Sequence, residues 1–475
     1  MFVHKSQRFS KPLLLGALLI GASQWALFAQ QTHLPVGAPV IVGNQAASQY
    51  SAPHAAMSIA TPRASVNGGV QLGRGFEGID FIGSNCFCLP PDTNAAVGNN
   101  FVVETVNVQI RVFNKSTGAQ LLDQPLATFF GAESGGDPYV TYDDLADRWY
   151  VEAFDDSATG LFLAVSLDGN PLDGFRHYHI ANLGFPDYSK PGFNNDAIFI
   201  SYNDFGPSGD AGATILSIEK APALTGTLIY FKSKPKFQFR AMPPAQMHDD
   251  NHGGVEWFVS TDGTDAGGNT IRVTQMTNYF SNTPQFTYTS IPVTPYRLAL
   301  RADQPTGFVT TFPNTTTTQV QYHHGRLVTA MASSLASDGF LYPKGLYYQI
   351  DVNGNGAVKP RLIQQGVIDP GLGVAVQMPS VDEDQQGNLG FTWMESSQTE
   401  YLSMWIGNVY TNGNFSASVA AQGGGPFPVA FRIGDYSTTV LDPSDHKTFW
   451  SANEYIGSDG FSDIWRTHIT SFTAR

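Results

Sequence analysis

Seven stretches of this chain repeat one pattern. A strand-like run enters a turn rich in Asp, Asn, Gly or His and returns as a second run that is apolar at nearly every position. The clearest copy is DPYVTYDDLADRWYVEAFD at residues 137–155. There Tyr139, Val140, Thr141 and Tyr142 have the β-branched and aromatic content of a strand, and residues 143–147 supply Asp side chains that stabilise tight turns. Residues 149–154 are almost continuously apolar. A strand exposed on one face alternates, whereas one covered on both faces need not. The other copies begin at Thr93, Gly192, His248, Val320, Ser380 and Thr438, roughly 45 to 75 residues apart, a spacing that fits propeller blades with loop insertions. Trp149, Trp257, Trp393 and Trp450 all follow a turn closely, and we expect them to hold equivalent positions in their repeats.

Each copy is followed by one or two further strand-like runs, such as 160–166 with 175–180, or 270–275 with 286–293. A unit of about four antiparallel strands cannot cover both of its own faces, but stacking such units radially does so and leaves only short edges. The last unit ends at 463–472 and is one strand short, and the run at 70–80 can supply it. The expected fold is therefore all-β, a seven-bladed β-propeller closed by an N-terminal strand. Six blades is the alternative, because insertions blur the fifth repeat.

Length alone would suggest two or three domains, but a repeat architecture makes residues 70–475 one closed domain. The amino end reads as a signal peptide over residues 1–29: Lys5, Arg8 and Lys11 form a basic head, 13–28 is apolar, and Ala29 is a small residue for cleavage. The apolar run is shorter than the roughly 20 residues a membrane anchor needs. Residues 30–69, rich in Ala, Ser, Pro, Val and Gln, read as a low-complexity linker. The expectation is a secreted, periplasmic or cell-surface protein, monomeric, with no membrane span after cleavage. Loss of the three basic residues of the head takes the net charge from −14 to about −17, which argues against nucleic acid and anionic membranes and leaves cations, proteins or glycans as ligands. The two cysteines, Cys86 and Cys88, flank Phe87. They read as thiols or a local bridge bracing the entry to the first blade, and they are too few for a Cys₄ zinc site.

With the repeats laid out, the chain resembles a family of exported bacterial β-propeller proteins, mostly without an assigned activity and loosely similar to sialidase-type propellers. The segments carrying that resemblance are CLPPDTNAAVGNNFVVETVN (88–107), GDPYVTYDDLADRWYV (136–151), FPDYSKPG (185–192) and GDYSTTVLDPSDHKTFWSANEY (434–455). The resemblance implies a fold and secretion but no established reaction. Members often carry a cysteine where this chain has Lys447, which speaks against a bridge from Cys86 or Cys88 to the last blade.

In such a ring the first strand of each blade lines a central channel. Asp92, Asp137, Asp187 and Asp435 each precede a first strand, and Glu104, Glu152, Asp262, Glu395 and Glu454 lie near the ends of second strands that run back to the same face. These carboxylates are expected to converge on one rim, with Tyr188, Lys190, Arg432 and Tyr436 beside them. Confined carboxylates cannot all stay ionised unless a cation neutralises them. Three outcomes are open. The acids brace turns, or Asp92, Asp137, Asp187 and Asp435 hold Ca²⁺, or an acid/base pair acts on a glycan as in a glycoside hydrolase or polysaccharide lyase.

Sialidase chemistry would want three arginines around a carboxylate and a tyrosine nucleophile, but no spacing here joins three arginines. The run SVDEDQQGNLGFTW also places too many residues between Asp and Trp for the usual box of that class. The sequence DVNGNG at 351–356 opens like an EF-hand loop but has Leu362 at the twelfth position, so a hairpin turn is expected. His248, His252, His323 and His324 are expected as solvent-facing turn residues. His177 and His179 share a strand face without an evident third metal ligand. No Ser/His/Asp, phosphate-loop or H-E-x-x-H pattern is present. The first reading of function is a non-catalytic binding or surface-interaction module. The alternative is a glycan-active enzyme using the same carboxylates.

Overall fold

The computed structural model describes residues 70–474 apart from 87, 207–208, 237–240, 249–252, 262–266, 300, 311–315, 337–338, 353–358, 428–432 and 459–462. The expected signal peptide and linker, Asp262, His252 and Arg432 therefore lie outside the described residues.

The chain is built from four-strand antiparallel meanders. After β1 (Gln71–Asp80), the first sheet holds β2 (Asn94–Val97), β3 (Phe101–Val106), β4 (Gln109–Asn114) and β5 (Gln120–Pro125). The second holds β6 (Ser134–Asp143), β7 (Arg148–Asp155), β8 (Leu161–Ser166) and β9 (Phe175–Ile180). The third unit is β10 (Pro186–Phe193), β11 (Ala197–Gly206), β12 (Gly209–Glu219) and β13 (Tyr230–Ser233). In the fourth, β14 (Ala245–Met247) meets β15 (Val255–Thr261) through a Pro244–Phe258 bridge, followed by β16 (Gly267–Thr277) and β17 (Gln285–Arg297).

A separate hairpin, β18 (Arg301–Gln304) with β19 (Gly307–Thr310), precedes the fifth unit, which is β20 (Val320–His323), β21 (Arg326–Leu335), β22 (Lys344–Asp351) and β23 (Arg361–Ile368). The sixth is β24 (Ala375–Glu383), β25 (Leu389–Ser397), β26 (Glu400–Val409) and β27 (Phe415–Ala421). The last is β28 (Thr438–Leu441), β29 (Thr448–Ser458) and β30 (Asp463–Thr473), and β1 pairs with β30 as its outer strand. The first strands β2, β6, β10, β14, β20, β24 and β28 neighbour one another in that order, and β28 returns to β2. β22 and β23 pair antiparallel, and residues 353–356 of the DVNGNG segment expected as their turn lie outside the described residues.

The near-continuous apolar second strands are explained by what they touch. Trp149, Val151 and Ala153 of β7 pack with Ala96, Val103 and Val112 of the first unit. The intervening Tyr150 and Phe154 pack with Ile198, Ile200 and Leu216 of the third. One strand thus serves two neighbouring sheets, and burying large side chains on both faces at about 25 cal/mol per Å² is what holds the units together.

The tryptophans are not all in one register. Trp149 faces Tyr142 and Trp450 faces Val440, each the second pair from its turn, but in the sixth unit Gly390 sits there and Trp393 lies three residues further on. The reason is steric, because a side chain at Gly390 would run into the ring of Phe449.

The axis is also not an open pore. The first strands fill it with amides and hydroxyls. Asn94 donates to Thr438 (2.8 Å) and accepts from the Val140 N–H (2.7 Å), and Thr141 donates to Gln246 (2.8 Å). Gln319 donates to the Thr439 carbonyl (2.6 Å), and Ser380 meets Thr439 at 3.0 Å. Short polar side chains at these inward positions pair many of the buried donors and acceptors with one another, as a dry core requires.

Candidate functional site

Each end of the filled axis has its own chemistry. On the entry face, where the chain enters each first strand, a bulge recurs. The pairing slips between Gly136 and Tyr139 in the second unit, between Asp187 and Lys190 in the third, and between Gln377 and Ser380 in the sixth. Each slip contains a non-glycine residue in the left-handed region, namely Asp137 (φ 50°), Tyr188 (φ 54°) and Met378 (φ 43°), and Asp92 (φ 58°) takes the same conformation ahead of β2. Such bulges re-aim side chains. Here Lys190 and Tyr139 each stand two residues past the left-handed one and meet near the axis.

The Lys190 Nζ lies 3.4 Å from the centre of the Tyr436 ring, 3.9 Å from that of Tyr188 and 4.9 Å from that of Tyr139. Tyr188 and Tyr436 are stacked, and Tyr139 meets Tyr436 edge-on. The ring faces carry negative potential and attract an ammonium by about 2 kcal/mol or more when water is excluded. Lys190 is only 2% exposed, and Nζ has no hydrogen-bond partner among the described residues. Burial pushes its pKa well below the usual lysine value, while Glu152, Asp137, Asp92 and Asp187 act in the opposite direction. Four acidic side chains and three ring faces thus favour the charged amine that burial disfavours.

The expected rim residues can now be placed. Asp92, Asp137, Asp187 and Glu152 surround Lys190, and Tyr188 and Tyr436 form its cage. Asp92 also accepts from Asn107 at 2.6 Å. Glu152 is 1% exposed and accepts from the Ser189 hydroxyl at 2.8 Å through both oxygens. Burial raises its pKa to about 8 against the opposing effects of Ser189 and Lys190. Asp435 is reached by the Tyr188 hydroxyl through its backbone carbonyl (3.4 Å). Glu454 accepts from the Gly434 N–H (3.1 Å), and Glu395 accepts from the indole of Trp393 (2.8 Å). Glu104 reaches the closing strand instead, accepting from the Ile79 N–H and the Thr467 hydroxyl. Among the described residues no three acidic, His or Cys side chains are grouped to hold a metal ion. Cys86 and Cys88 are bonded to each other in the loop before β2. His179 pairs with Asp155 at 3.0 Å, and His177 packs against Phe129 and Phe130.

On the opposite, turn face, where first strands turn into second strands, His248 and His323 are not the solvent-facing residues expected. His323 is buried and its Nε2 meets Asp382 at 2.8 Å. His248 Nδ1 meets Asp144 at 2.6 Å and its Nε2 meets Gln321 Oε1 at 3.2 Å. The two imidazoles stack at 5.2 Å. Burial lowers the pKa of His248, but the Asp144 carboxylate outweighs it and the net shift is upward. The signal for this cluster was in the sequence: two repeats place His at or just past the end of a first strand, and those two strands pair side by side.

No family model matches the chain, and no curated protein matches it. Among solved structures it is similar to that of U3-55K, at 10% identity over 86% of this chain and 99% of that one, with a TM-score of 0.43. It is similar also to a protein of unknown function from Dyadobacter fermentans (9% identity, 86% and 100% covered, TM-score 0.39) and to the WD40 domain of SCAP from fission yeast (10%, 85% and 92%, 0.37). The fold assignment rests on this chain's own strand pairing. No helix among the described residues is long and apolar enough to cross a membrane.

Proposed function

We propose that this chain is an exported β-propeller working as a non-catalytic binding or surface-interaction module, its acidic entry mouth locked by Lys190 rather than by a resident metal. The observation that carries this reading is the enclosure of Lys190 and Glu152. They set a carboxyl of raised pKa beside an amine of lowered pKa, yet they are 1% and 2% exposed, under three tyrosine rings and the Ser189 hydroxyl. A substrate has to reach an acid or base within hydrogen-bond range, and this pair faces the protein's own side chains. Asp92, Asp137, Asp187 and Asp435 remain the place to look for Ca²⁺, but an ammonium among them disfavours a second cation by like-charge repulsion. Export is supported by the basic head and apolar run of residues 1–29, and by the resemblance to exported bacterial propellers.

The test is a glycan-array and chromogenic-glycoside screen of the protein lacking residues 1–29, with and without a chelator. Ligand binding without turnover, unchanged by chelator, is the expected outcome. Turnover that disappears in Glu152→Gln would establish the glycan-active alternative instead.

A further inference from the structure

A second group of buried ionisable side chains draws on three consecutive units. Asp143 ends β6 of the second, Lys220 directly follows β12 of the third, and Glu256 lies on β15 of the fourth. Asp143 and Glu256 are fully buried and Lys220 is 4% exposed. Lys220 Nζ meets Asp143 Oδ2 at 2.6 Å, donates to the Asn194 carbonyl and lies over the Phe193 ring. The Tyr150 hydroxyl donates to the same Oδ2 (2.7 Å), and the Ala146 N–H donates to Oδ1 (3.1 Å). Glu256 makes no side-chain hydrogen bond among the described residues, and the Asn194 amide ties the carbonyl of the preceding Val255 at 2.7 Å. Burial drives the Glu256 pKa well above the usual carboxylate value, against the pull of the Trp257 and Ala245 backbone and of the nearby Lys220 charge.

A buried ion pair is costly, because both charges have lost their hydration. Condensing the amine with the carboxyl removes both charges at once. A dry site that holds the two groups in contact supplies the proximity such a reaction needs, and an N–H aimed at Oδ1 stabilises the oxyanion of the tetrahedral intermediate.

We propose that Lys220 and Asp143 are joined by an isopeptide bond that the folded chain forms on itself, with Glu256 as the proton carrier. The Lys220 ammonium gives one proton to the Asp143 carboxylate, leaving an amine and a carboxylic acid. Nζ then bonds to Cγ, the Cγ–Oδ2 bond breaks, and Oδ2 departs as water with the acid's proton and one from nitrogen. Glu256, kept protonated, lends its proton to the departing oxygen and takes the one that nitrogen sheds, so it ends as it began. The new amide staples the second unit to the third, whatever the propeller binds.

The experiment is tryptic digestion and mass spectrometry of the purified full chain. Trypsin spares Lys190, which precedes Pro191, and a modified Lys220, so the expected species is fragment 116–148 joined to fragment 177–232. It should be lighter than the two together by the mass of one water. Lys220→Arg keeps the charge but should leave the fragments separate, and after boiling it should run more slowly than wild type on a denaturing gel, because the closed loop is gone. Glu256→Gln should fold, by its melting curve, yet leave most of the two fragments separate. Should it not fold, Glu256→Met, which fills the same space without a polar group, replaces it with the same expectation. Wild-type fragments found wholly separate would overturn the bond, with no variant needed. A folded Glu256 variant joined as fully as wild type would overturn the part given to Glu256.

Discussion

The two ends of the axis answer the same electrostatic problem differently. Both gather acids from several blades. At the entry face the protein inserts its own amine, Lys190, and covers it with tyrosine rings, so the charge is neutralised and sealed. At the turn face Asp144 and Asp382 are met by imidazoles, with a recess that has room for about one water beside them. A lysine on a four-carbon stem can reach an axis and fill it. A histidine is short, leaves room, and changes its charge near neutral pH. The two ends thus hold their acids with different partners, an amine under rings at one and paired imidazoles at the other.

The largest expected difference between the ends follows from removing the amine. Lys190→Met removes the amine charge that opposes the buried Asp92 and the half-buried Asp137 and Asp187 and should cost about 3 kcal/mol in denaturant unfolding, whereas His248→Asn should cost about 1 kcal/mol. Equal losses would erase the distinction.

A pH series sharpens it. Glu152 has its folded pKa raised to about 8 from 4.5, so the folded state holds a proton that the unfolded state has released. Stability should fall as pH rises from about 5 to about 8. In Glu152→Gln, which copies the protonated group, that part of the slope should vanish from melting curves. His248 also has a raised pKa, because of Asp144. Its contribution is full below about pH 6.5 and is lost as pH rises through the folded value. Asp144→Asn should therefore cost about 1 kcal/mol at pH 6 and less at pH 8, measured by the same unfolding assay. The smallest effect belongs to metal removal: a chelator should leave the melting temperature of the wild-type protein unchanged, and a clear drop would return the entry mouth to a cation site.

Much of the fold was legible because the repeat is local. Strand–turn–strand units such as 137–155 announce themselves, and the final unit's missing strand could be matched to residues 70–80 by counting. The convergence of Asp92, Asp137, Asp187, Glu152 and Lys190 was legible for the same reason, since a ring brings equivalent positions together. The tyrosine cage was less so. Tyr188 and Tyr436 were expected beside the rim, but Tyr139 looked like an ordinary strand residue, and the bulge that aims Lys190 inward leaves no mark in residue type. His248 and His323 were misjudged because the turn-like sequence H-D-D-N-H-G hides the fact that His248 directly follows a first strand that pairs with the strand ending in His323. The filled axis was missed because Asn94, Thr141, Gln246 and Gln319 look like ordinary polar strand residues until their partners are known.

The account stands most directly on the contact between Lys190 and its cage, and a double-mutant cycle of Lys190→Met with Tyr436→Leu measures it. A coupling of about 1 to 2 kcal/mol is expected from an ammonium on a buried ring face. Additive losses, with the two substitutions indifferent to each other, would show that the amine is not held by the rings and would contradict the view of the entry mouth as a sealed, self-neutralised end.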